Sequence, residues 1–237
     1  MKLWLITLFC WSCCIGQNLL QTNVVDFVGV DIYDNYYYLQ NNSLHKSGST
    51  NDYQNLKYGT PDGIDISNPL QILVFYKFFN KVVALDNRLN FIAAYNIPMG
   101  TDLIASAGEN KIWTYNNIQK VLSIYNLKTE KTEISTIPIT NKITQLKGNL
   151  NKAIVKTETN ELETYNFVAR KTSSKKLKHQ LLPISMHSLY TLQNNALYKE
   201  TTQIISVPDS INSYEVQNNV LYYLKDSNIY KTPIKQP

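Results

Sequence analysis

Short apolar runs alternate with turn-forming residues about every ten positions from Asn18 onwards. Within the runs, apolar and polar side chains alternate, which is the two-residue period of a strand and not the 3.6-residue period of a helix. Many short runs of this kind, separated by turns, are typical of an all-β protein. The pattern therefore predicts a chain built from strands.

The strand pattern repeats every forty residues over the middle of the chain. Three segments align at this interval without a gap: LVFYKFFNKVVALDN from Leu73, WTYNNIQKVLSIYNL from Trp113 and AIVKTETNELETYNF from Ala153. An Asp or Asn stands near the end of each segment, at Asp86, Asn126 and Asn166. Such side chains favour turns, because they bond the local backbone and tolerate positive φ. The period indicates a repeat architecture.

Each repeat is predicted to contain four antiparallel strands. A short polar loop joins two of them, so that Leu73–Lys77 pairs with Lys81–Leu85. An inner strand precedes each such pair, as in LIASAGE and KITQLKG, and an outer strand follows, as in FIAAYNI and TEISTIPI. Four strands in forty residues are typical of one β-propeller blade.

A second repeated phrase places both ends of the chain in the same architecture. It reads DIYDNYYYLQNNSLHK over Asp31–Lys46, LQNNALYK over Leu192–Lys199 and, with one insertion relative to the first, EVQNNVLYYLKDSNIYK over Glu215–Lys231. The Asn pair is predicted to form a hairpin turn, because Asn tolerates the positive φ that such turns need. The units are then 24–60, 61–100, 101–140, 141–180, 181–207 and 208–237, which predicts six blades and leaves five or seven open.

The last unit lacks an outer strand. It has room for three strands only, over Ser213–Gln217, Val220–Lys225 and Asn228–Pro233. An open sheet edge favours aggregation, so we expect LLQTNVV, over Leu19–Val25, to complete this sheet and close the ring. The rival folds fit less well. A β-sandwich would not keep a strict period, helical repeats need 3.6-residue spacing, and a β-helix uses shorter coils.

The segment NPLQILVFYKFFNKVVALDNRLNFI, over Asn68–Ile92, resembles small exported propeller-like proteins of Bacteroidota. In that family a phrase like Asn-Pro-Leu-x-Ile-Leu-x-Phe-Tyr-Lys precedes a Val-Val-x-Leu-Asp-Asn turn, and KIWTYN, over Lys111–Asn116, also fits the pattern. The likeness spans the second and third units, and the period extends it over most of the chain. It implies a propeller fold and export, and no reaction. The Trp-Asp and Gly-His signatures of WD40 repeats are absent.

The N-terminal sequence MKLWLITLFCWSCCIG has the features of a secretory signal. Lys2 precedes an apolar run from Leu3 to Ile15 that is too short for a membrane-spanning helix, which needs about twenty residues. Small residues at Cys14 and Gly16 predict cleavage after Gly16. Residues 1–16 are then a signal peptide, and residues 17–237 form a single propeller domain.

The three cysteines, Cys10, Cys13 and Cys14, all lie in the predicted signal. The mature chain would hold no thiol, so we expect no disulfide, zinc–thiolate site, iron–sulfur cluster or cysteine nucleophile. A lipoprotein is the alternative. Ser12 is the small residue that precedes a lipidated cysteine, although Cys10 stands where the lipobox has Leu. Acylation of Cys13 or Cys14 would anchor the protein to a membrane.

The basic residues narrow the classes of partner. The net charge is +5, but Arg88 and Arg170 are the only arginines. Arg makes most bidentate contacts to phosphates and bases, so its scarcity argues against nucleic acid. The cluster RKTSSKKLKH, over Arg170–His179, offers Lys175 and Lys176 to an anionic partner. The alternative is an exposed loop between the fourth and fifth units.

No histidine or carboxylate set suggests catalysis or a cofactor. The three histidines, His45, His179 and His187, show no metal-binding spacing. Asp62 and Asp65 in TPDGIDISNP faintly resemble a calcium loop but lack its alternating ligands and terminal Glu, which favours a plain turn. We therefore expect no cofactor and no turnover of substrate. Asp62, Asp65 and His187 are the first residues to replace if turnover is found.

The hairpin that carries Glu158, Glu161 and Glu163 has a simpler interpretation. Glu161 and Glu163 alternate with Leu162, so we interpret the two carboxylates as one solvated strand face.

Taken together, these features predict an exported, non-enzymatic propeller that acts as a protein-interaction or scaffold module in the periplasm or at the outer membrane. Its expected partner is another envelope protein, and it would touch a membrane only through a lipid anchor. The alternative is a glycan-binding or glycan-active propeller that uses Tyr36, Tyr38 and Trp113 as aromatic contacts. The triplet Asp209–Ile211 resembles an O-glycosylation motif and would modify Ser210.

The predicted signal can be tested directly by the intact mass of the protein purified from its native host. We expect a mature chain that starts at Gln17, with or without cyclisation of that residue. A chain that retains Met1, or one with diacylglycerol on Cys13 or Cys14, would contradict export as a soluble protein.

Overall fold

The computed structural model describes residues 17–177, 190–199 and 202–234. All regular elements in these ranges are β-strands, and they form six sheets, five with four strands and one with three. The sheets are the blades of a six-bladed β-propeller, which confirms the predicted fold class and blade number.

The strands follow the predicted units closely. The first strand, β1 (Asn18–Gln21), belongs to the last blade. Blade 1 contains β2 (Asp26–Val30), β3 (Tyr36–Gln40), β4 (Ser43–Lys46) and β5 (Asp52–Tyr53). Blade 2 contains β6 (Gly63–Asp65), β7 (Ile72–Tyr76), β8 (Lys81–Leu85) and β9 (Phe91–Asn96). Blade 3 contains β10 (Thr101–Ser106), β11 (Lys111–Asn116), β12 (Val121–Asn126) and β13 (Lys131–Ser135).

The second half of the ring continues in the same order. Blade 4 contains β14 (Ile143–Gly148), β15 (Lys152–Thr157), β16 (Glu161–Asn166) and β17 (Lys171–Lys176). Blade 5 contains β18 (Tyr190–Gln193), β19 (Ala196–Lys199) and β20 (Thr202–Ser206). Blade 6 contains β21 (Ser213–Gln217), β22 (Val220–Lys225) and β23 (Asn228–Pro233), with β1 as its fourth strand.

The antiparallel order of the blades gives the ring two distinct faces. The first strands of neighbouring blades contact one another, β2 with β21, β6 with β10 and β10 with β14, so they line the inner side of the ring. Successive strands of a four-stranded blade run in opposite directions, so the second and fourth strands end on the same face of the ring. The hairpins between second and third strands and the connections between blades therefore lie on that face. We call this the upper face; the remaining hairpins lie on the lower face.

The predicted turn chemistry is confirmed by the backbone. Asn41 and Asn42 have φ values of 51° and 61°, and the equivalent pair Asn194 and Asn195 has 47° and 58°. These are the positive angles of a two-residue hairpin. The Asp at the end of the first aligned segment behaves as expected too, since Oδ1 of Asp86 accepts backbone hydrogen bonds at 2.8 and 2.9 Å.

The Lys-rich segment after blade 4's last turn is a strand, so the loop alternative is wrong for Lys171–Lys176. β17 pairs with β16, with Lys175 opposite Leu162 and Lys176 opposite Glu161. All six residues of β17 are exposed, as expected for the outermost strand of a blade. Lysine on such an edge discourages pairing with other chains.

Most of the core lies between blades. Leu73 and Phe75 of blade 2 pack against Ile112 and Tyr125 of blade 3, for example, and all four are buried. Each large side chain buried in this way stabilises the fold by about 1.5–3 kcal/mol. Both faces of a blade are therefore covered by its neighbours.

Two carboxylates connect the inner strands of adjacent blades. Asp65 Oδ2 accepts a hydrogen bond of 2.9 Å from the Ser106 N–H, which joins blade 2 to blade 3. Glu215 Oε2 accepts one of 2.9 Å from the Val30 N–H, which joins blade 6 to blade 1. The second contact needs glycine at position 29, since a Cβ on Gly29 would lie 2.3 Å from Glu215 Oε2.

The ring closes as predicted, with a shorter strand than expected. β1 pairs antiparallel with β23, with Asn18 opposite Lys231 and Leu19 opposite Tyr230. The strand ends at Gln21, because the chain then turns towards blade 1. There the Val25 N–H donates to the Leu39 carbonyl at 2.8 Å.

Removal of residues 17–21 tests whether this strand closes the ring. The deletion exposes the edge of β23 and uncovers part of the core, so we expect Tm to fall by at least about 5 °C, given that ~1 kcal/mol shifts Tm by roughly 2–4 °C at this size. Thermal unfolding followed by circular dichroism measures the change. Leu19→Ser, at an exposed position of the same strand, is the control that keeps backbone pairing. A deletion variant that melts like the parent would contradict closure by β1.

Candidate functional site

The upper face of blades 1 to 3 presents large apolar side chains to solvent. Five of them are more than four-fifths exposed: Leu56 (89%), Phe78 (87%), Met99 (84%), Ile118 (87%) and Ile137 (86%). Leu56 and Met99 lie in connections between blades, and Phe78 and Ile118 occupy the same place in successive hairpins, forty residues apart. We define the upper patch as the first four of these residues together with Tyr58 and Phe79; Ile137 belongs to the groove described below.

Aromatic contacts hold one end of the upper patch in place. The ring of Tyr58 lies 5.0 Å from that of Phe79 and 5.1 Å from that of Tyr76, and Phe78 meets Phe79 edge-on at 5.2 Å. Burial, and then a hydrogen bond with Tyr53, raise the pKa of Tyr76, which therefore stays neutral. Ring pairs of this geometry are more favourable than their buried area alone implies. This end of the patch is therefore preorganised.

A single carboxylate fixes the two hairpins that carry Phe78 and Ile118. Asp102 Oδ1 accepts from Lys77 Nζ at 2.6 Å, and Asp102 Oδ2 accepts from the Asn117 N–H at 2.7 Å. Burial alone would raise the pKa of Asp102, but the hydrogen bonds from Lys77 and the Asn117 N–H lower it overall. Because Lys77 precedes Phe78 and Asn117 precedes Ile118, the ionised Asp102 links the two hairpins that carry these apolar residues.

A groove of about 750 Å³ opens between the outer parts of blades 3 and 4. Its lining includes Ile134, Ile137 and Ile139 from blade 3 and its connection, and Glu163, Tyr165 and Arg170 from blade 4. Apolar and charged side chains thus share one concave surface.

The groove contains a buried carboxylate that the sequence did not lead us to expect. Glu163 is only 3% exposed, and it accepts hydrogen bonds from Tyr165 Oη at 2.6 Å and Lys171 Nζ at 3.0 Å. Burial, and then the bond to Glu163, raise the pKa of Tyr165 and keep its phenol protonated. The predicted solvated face is wrong for Glu163, because this face of β16 looks towards blade 3.

The three aromatic residues proposed as glycan contacts do not form one exposed platform. Trp113 is fully buried, and its Nε1 donates to the Asn149 carbonyl at 3.3 Å. Tyr38 is 8% exposed and stacks between Tyr36 and His45, with ring separations of 5.9 and 5.2 Å. Trp113 therefore offers no surface to a ligand, and Tyr38 offers very little.

The acidic residues considered for catalysis have structural partners. Asp65 is buried and, besides its contact with Ser106, accepts from the Ser67 N–H and hydroxyl at 2.8 and 2.5 Å. Asp62 Oδ2 accepts from the Lys77 N–H at 2.7 Å. His179 and His187 lie outside the described residues.

The remaining predicted contact residues lie apart from the upper patch in the fold. Lys175 and Lys176 are exposed on the outer strand of blade 4. Ser210 is exposed, has a φ of 61°, and lies in the turn that leads into blade 6. Its neighbour Asp209 accepts from Lys225 Nζ at 3.1 Å.

The part of the chain that the structure describes contains no cluster of metal ligands. No group of three or more His, Cys, Asp or Glu side chains is arranged there to hold a metal ion. No helix in these ranges has the length and apolar character to cross a membrane.

The upper patch has a sequence signal that is separate from the strand pattern. Phe78 and Ile118 interrupt polar hairpin loops at the same place in successive repeats, where the fold requires no apolar side chain. The groove has no comparable signal, because it forms where two blades meet.

Comparisons with known proteins identify the fold and no family. No protein-family model and no curated protein matches the sequence. The WD40 repeats of RRP9 superpose with a TM-score of 0.58 at 7% identity, over 92% of this chain and 97% of that one. BBS1N in complex with ARL6DN gives 0.58 at 11% identity, over 88% and 77%. A streptogramin B lyase gives 0.56 at 12% identity, over 94% and 87%. At these identities the likeness shows the propeller fold alone.

Replacement of Asp65 by Ala tests whether this residue has the structural role described above. The change leaves the buried Ser106 N–H without its partner, so we expect a loss of about 2–3 kcal/mol in the free energy of unfolding, measured by chemical denaturation. Asp209→Ala removes an exposed carboxylate and is the control, with little expected change. An Asp65→Ala variant as stable as the parent would contradict the structural role.

Proposed function

We propose that this protein is a non-enzymatic interaction module that binds another protein through the upper patch. The observation that carries the proposal is the cluster of large, highly exposed apolar side chains on one face of the ring. Contiguous apolar surface of this kind is uncommon on monomeric proteins and marks interaction sites.

The patch has the character of an interface centre. Aromatic residues and Met are enriched in the buried centres of interfaces, and the patch contains Tyr58, Phe78, Phe79 and Met99. Its aromatic end and the two hairpins linked by Asp102 are already ordered, so binding would lose little conformational entropy there.

Charges around the patch favour a partner with an acidic rim. Lys57, Lys120 and Lys142 are exposed on the upper face, and none of them forms an ion pair within the described ranges. The carboxylates of Asp62 and Asp102 on this face already accept hydrogen bonds. A partner with an apolar centre surrounded by Asp and Glu would complement this surface.

The proposal contains no catalytic step. The carboxylates considered as catalytic groups are engaged in structural hydrogen bonds, which supports a binding role. The BBS1N structure is described as a complex with ARL6DN, so at least one propeller of this shape binds a protein. The buried Trp113 and Tyr38 leave the glycan alternative without an observation that favours it.

We place the module outside the cytoplasm, in the periplasm or at the outer membrane, with another envelope protein as its partner. This part of the proposal rests on the signal-like N-terminal sequence and on the resemblance to exported proteins of Bacteroidota. O-glycosylation of Ser210 would be compatible with this location, because that residue is exposed.

Site-specific photo-crosslinking in the native cell tests the proposal. A benzophenone amino acid at position 118, on the upper face, should give one discrete adduct with a different protein. The same group at position 150, on the lower face and also exposed to solvent, should not give that adduct. Combined Phe78→Ser and Met99→Ser substitutions should abolish the adduct at position 118 without changing Tm, because both side chains are exposed.

The outcomes separate the alternatives. Equal adducts from both faces, or no adduct at position 118, would contradict docking through the upper patch. An adduct with the mass of two copies of this chain would replace the proposed partner by self-association.

A further inference from the structure

The groove between blades 3 and 4 departs from the repeat in three ways, and the first is the buried carboxylate. Glu163 occupies the register position of Val83 in blade 2 and Ser123 in blade 3, at intervals of forty residues. Val83 is fully buried, so the fold accepts an apolar side chain there. A buried carboxylate is costly even when paired, so Glu163 is not explained by packing.

The second departure is that this groove stays open where the preceding one is bridged. Between blades 2 and 3, Asn96 Nδ2 donates to Glu130 Oε1 at 3.0 Å. Between blades 3 and 4, Ile137 takes the place of Asn96, because it directly follows Thr136, whose N–H donates to the Leu122 carbonyl of β12. Ala169 takes the place of Glu130, since both residues have a φ of 54° in the turn before the outer strand. Neither side chain can make such a bond.

The third departure is a longer connection along one wall of the groove. After blade 2, the Ile97 N–H donates to the Asn80 carbonyl at 3.0 Å. After blade 3, the Ile139 N–H donates to the Lys120 carbonyl at 2.7 Å. Lys120 follows Asn80 by 40 positions (120 − 80) but Ile139 follows Ile97 by 42 (139 − 97). The segment from Lys120 to Ile139 is therefore two residues longer than the segment from Asn80 to Ile97, with one additional residue in the turn before β13 and one after Ile137.

The groove also carries opposite charges at its two ends. Glu161 begins β16, and Arg170 lies beyond the other end of that strand, where its N–H donates to Asn166 Oδ1 at 3.0 Å. Within the described residues neither the Glu161 carboxylate nor the Arg170 guanidinium has an ion pair or hydrogen bond, whereas Glu163 and Lys171 neutralise each other. These two charges are about 16 Å apart along the strand direction, which is five residue steps from Glu161 to Asn166 at ~3.3 Å per residue.

We propose that this groove binds a short extended peptide of four or five residues, with a basic side chain at Glu161, apolar side chains in the middle and an acidic side chain at Arg170. The volume of about 750 Å³ is in the range of ligand sites. The isoleucines 134, 137 and 139 supply the apolar wall. An anionic lipid would satisfy Arg170 but would leave Glu161 against an acyl chain, so a peptide with both charges fits better.

Fluorescence polarisation with three labelled pentapeptides, blocked at both ends, tests the proposal on the full mature chain. The probes are Glu-Val-Leu-Val-Lys, Lys-Val-Leu-Val-Lys and Glu-Val-Leu-Val-Glu. The native protein should prefer the first probe. Arg170→Glu, which makes both ends acidic, should weaken that probe about tenfold or more and should prefer the doubly basic peptide. Glu161→Lys should prefer the doubly acidic peptide for the same reason.

Two control variants show whether the probes bind in the groove. Lys175→Glu changes an exposed charge on β17 that does not line the groove, and it should leave all three affinities unchanged. Phe78→Ser alters the upper patch and should also leave them unchanged, so failure of one proposal does not imply failure of the other. No binding of the first probe, or a preference that does not follow the charges at positions 161 and 170, would overturn the inference.

Discussion

The junction between blades 6 and 1 is the contact on which the ring depends, because there the two ends of the chain meet. β1 and β23 share one sheet, and the chain after β1 bonds to both blades. The Glu215 carboxylate then reaches across to the Val30 N–H through the space left by Gly29. The other contacts between blades that the structure describes join blades that are adjacent in sequence, so this junction converts a row of sheets into a closed structure.

Closure also explains how an irregular surface can be well ordered. Loops on the upper face such as the hairpins that carry Phe78 and Ile118 begin and end in strands that are buried between neighbouring blades. The Asp102 carboxylate adds a contact between two of these loops. The exposed apolar side chains are thus displayed on a framework whose stability comes from elsewhere.

The fold could be predicted from the sequence because the need to bury apolar side chains between blades recurs every forty residues. Trp113 is a good example, since its register position alone indicates a core role and the structure buries it fully. Alternation is less informative about what covers a strand. It assigned Glu163 to a polar face correctly, but in a propeller both faces of a blade meet neighbours, so polarity did not imply contact with water.

The candidate sites lie where the period is broken, which is why they were harder to predict. The groove depends on two additional residues between Lys120 and Ile139 and on the absence of a bond that its neighbour has, and both are visible only when blades are superposed in space. The upper patch does have a signal in the sequence, since Phe78 and Ile118 are apolar residues in hairpin loops. Its extent still depends on three-dimensional proximity between connections and hairpins.

The pairing of β1 with β23 has a consequence for how the protein is made. Asn18 and Lys231 are 213 positions apart (231 − 18), so β1 finds its place only after β23 has emerged from the ribosome. Such non-local pairing is slow, because the loop-closure entropy must be lost before any contact compensates it. Individual blades are able to form during synthesis, but the sealed ring forms only once β23 is available. A ribosome that still covers β23 therefore holds an open ring.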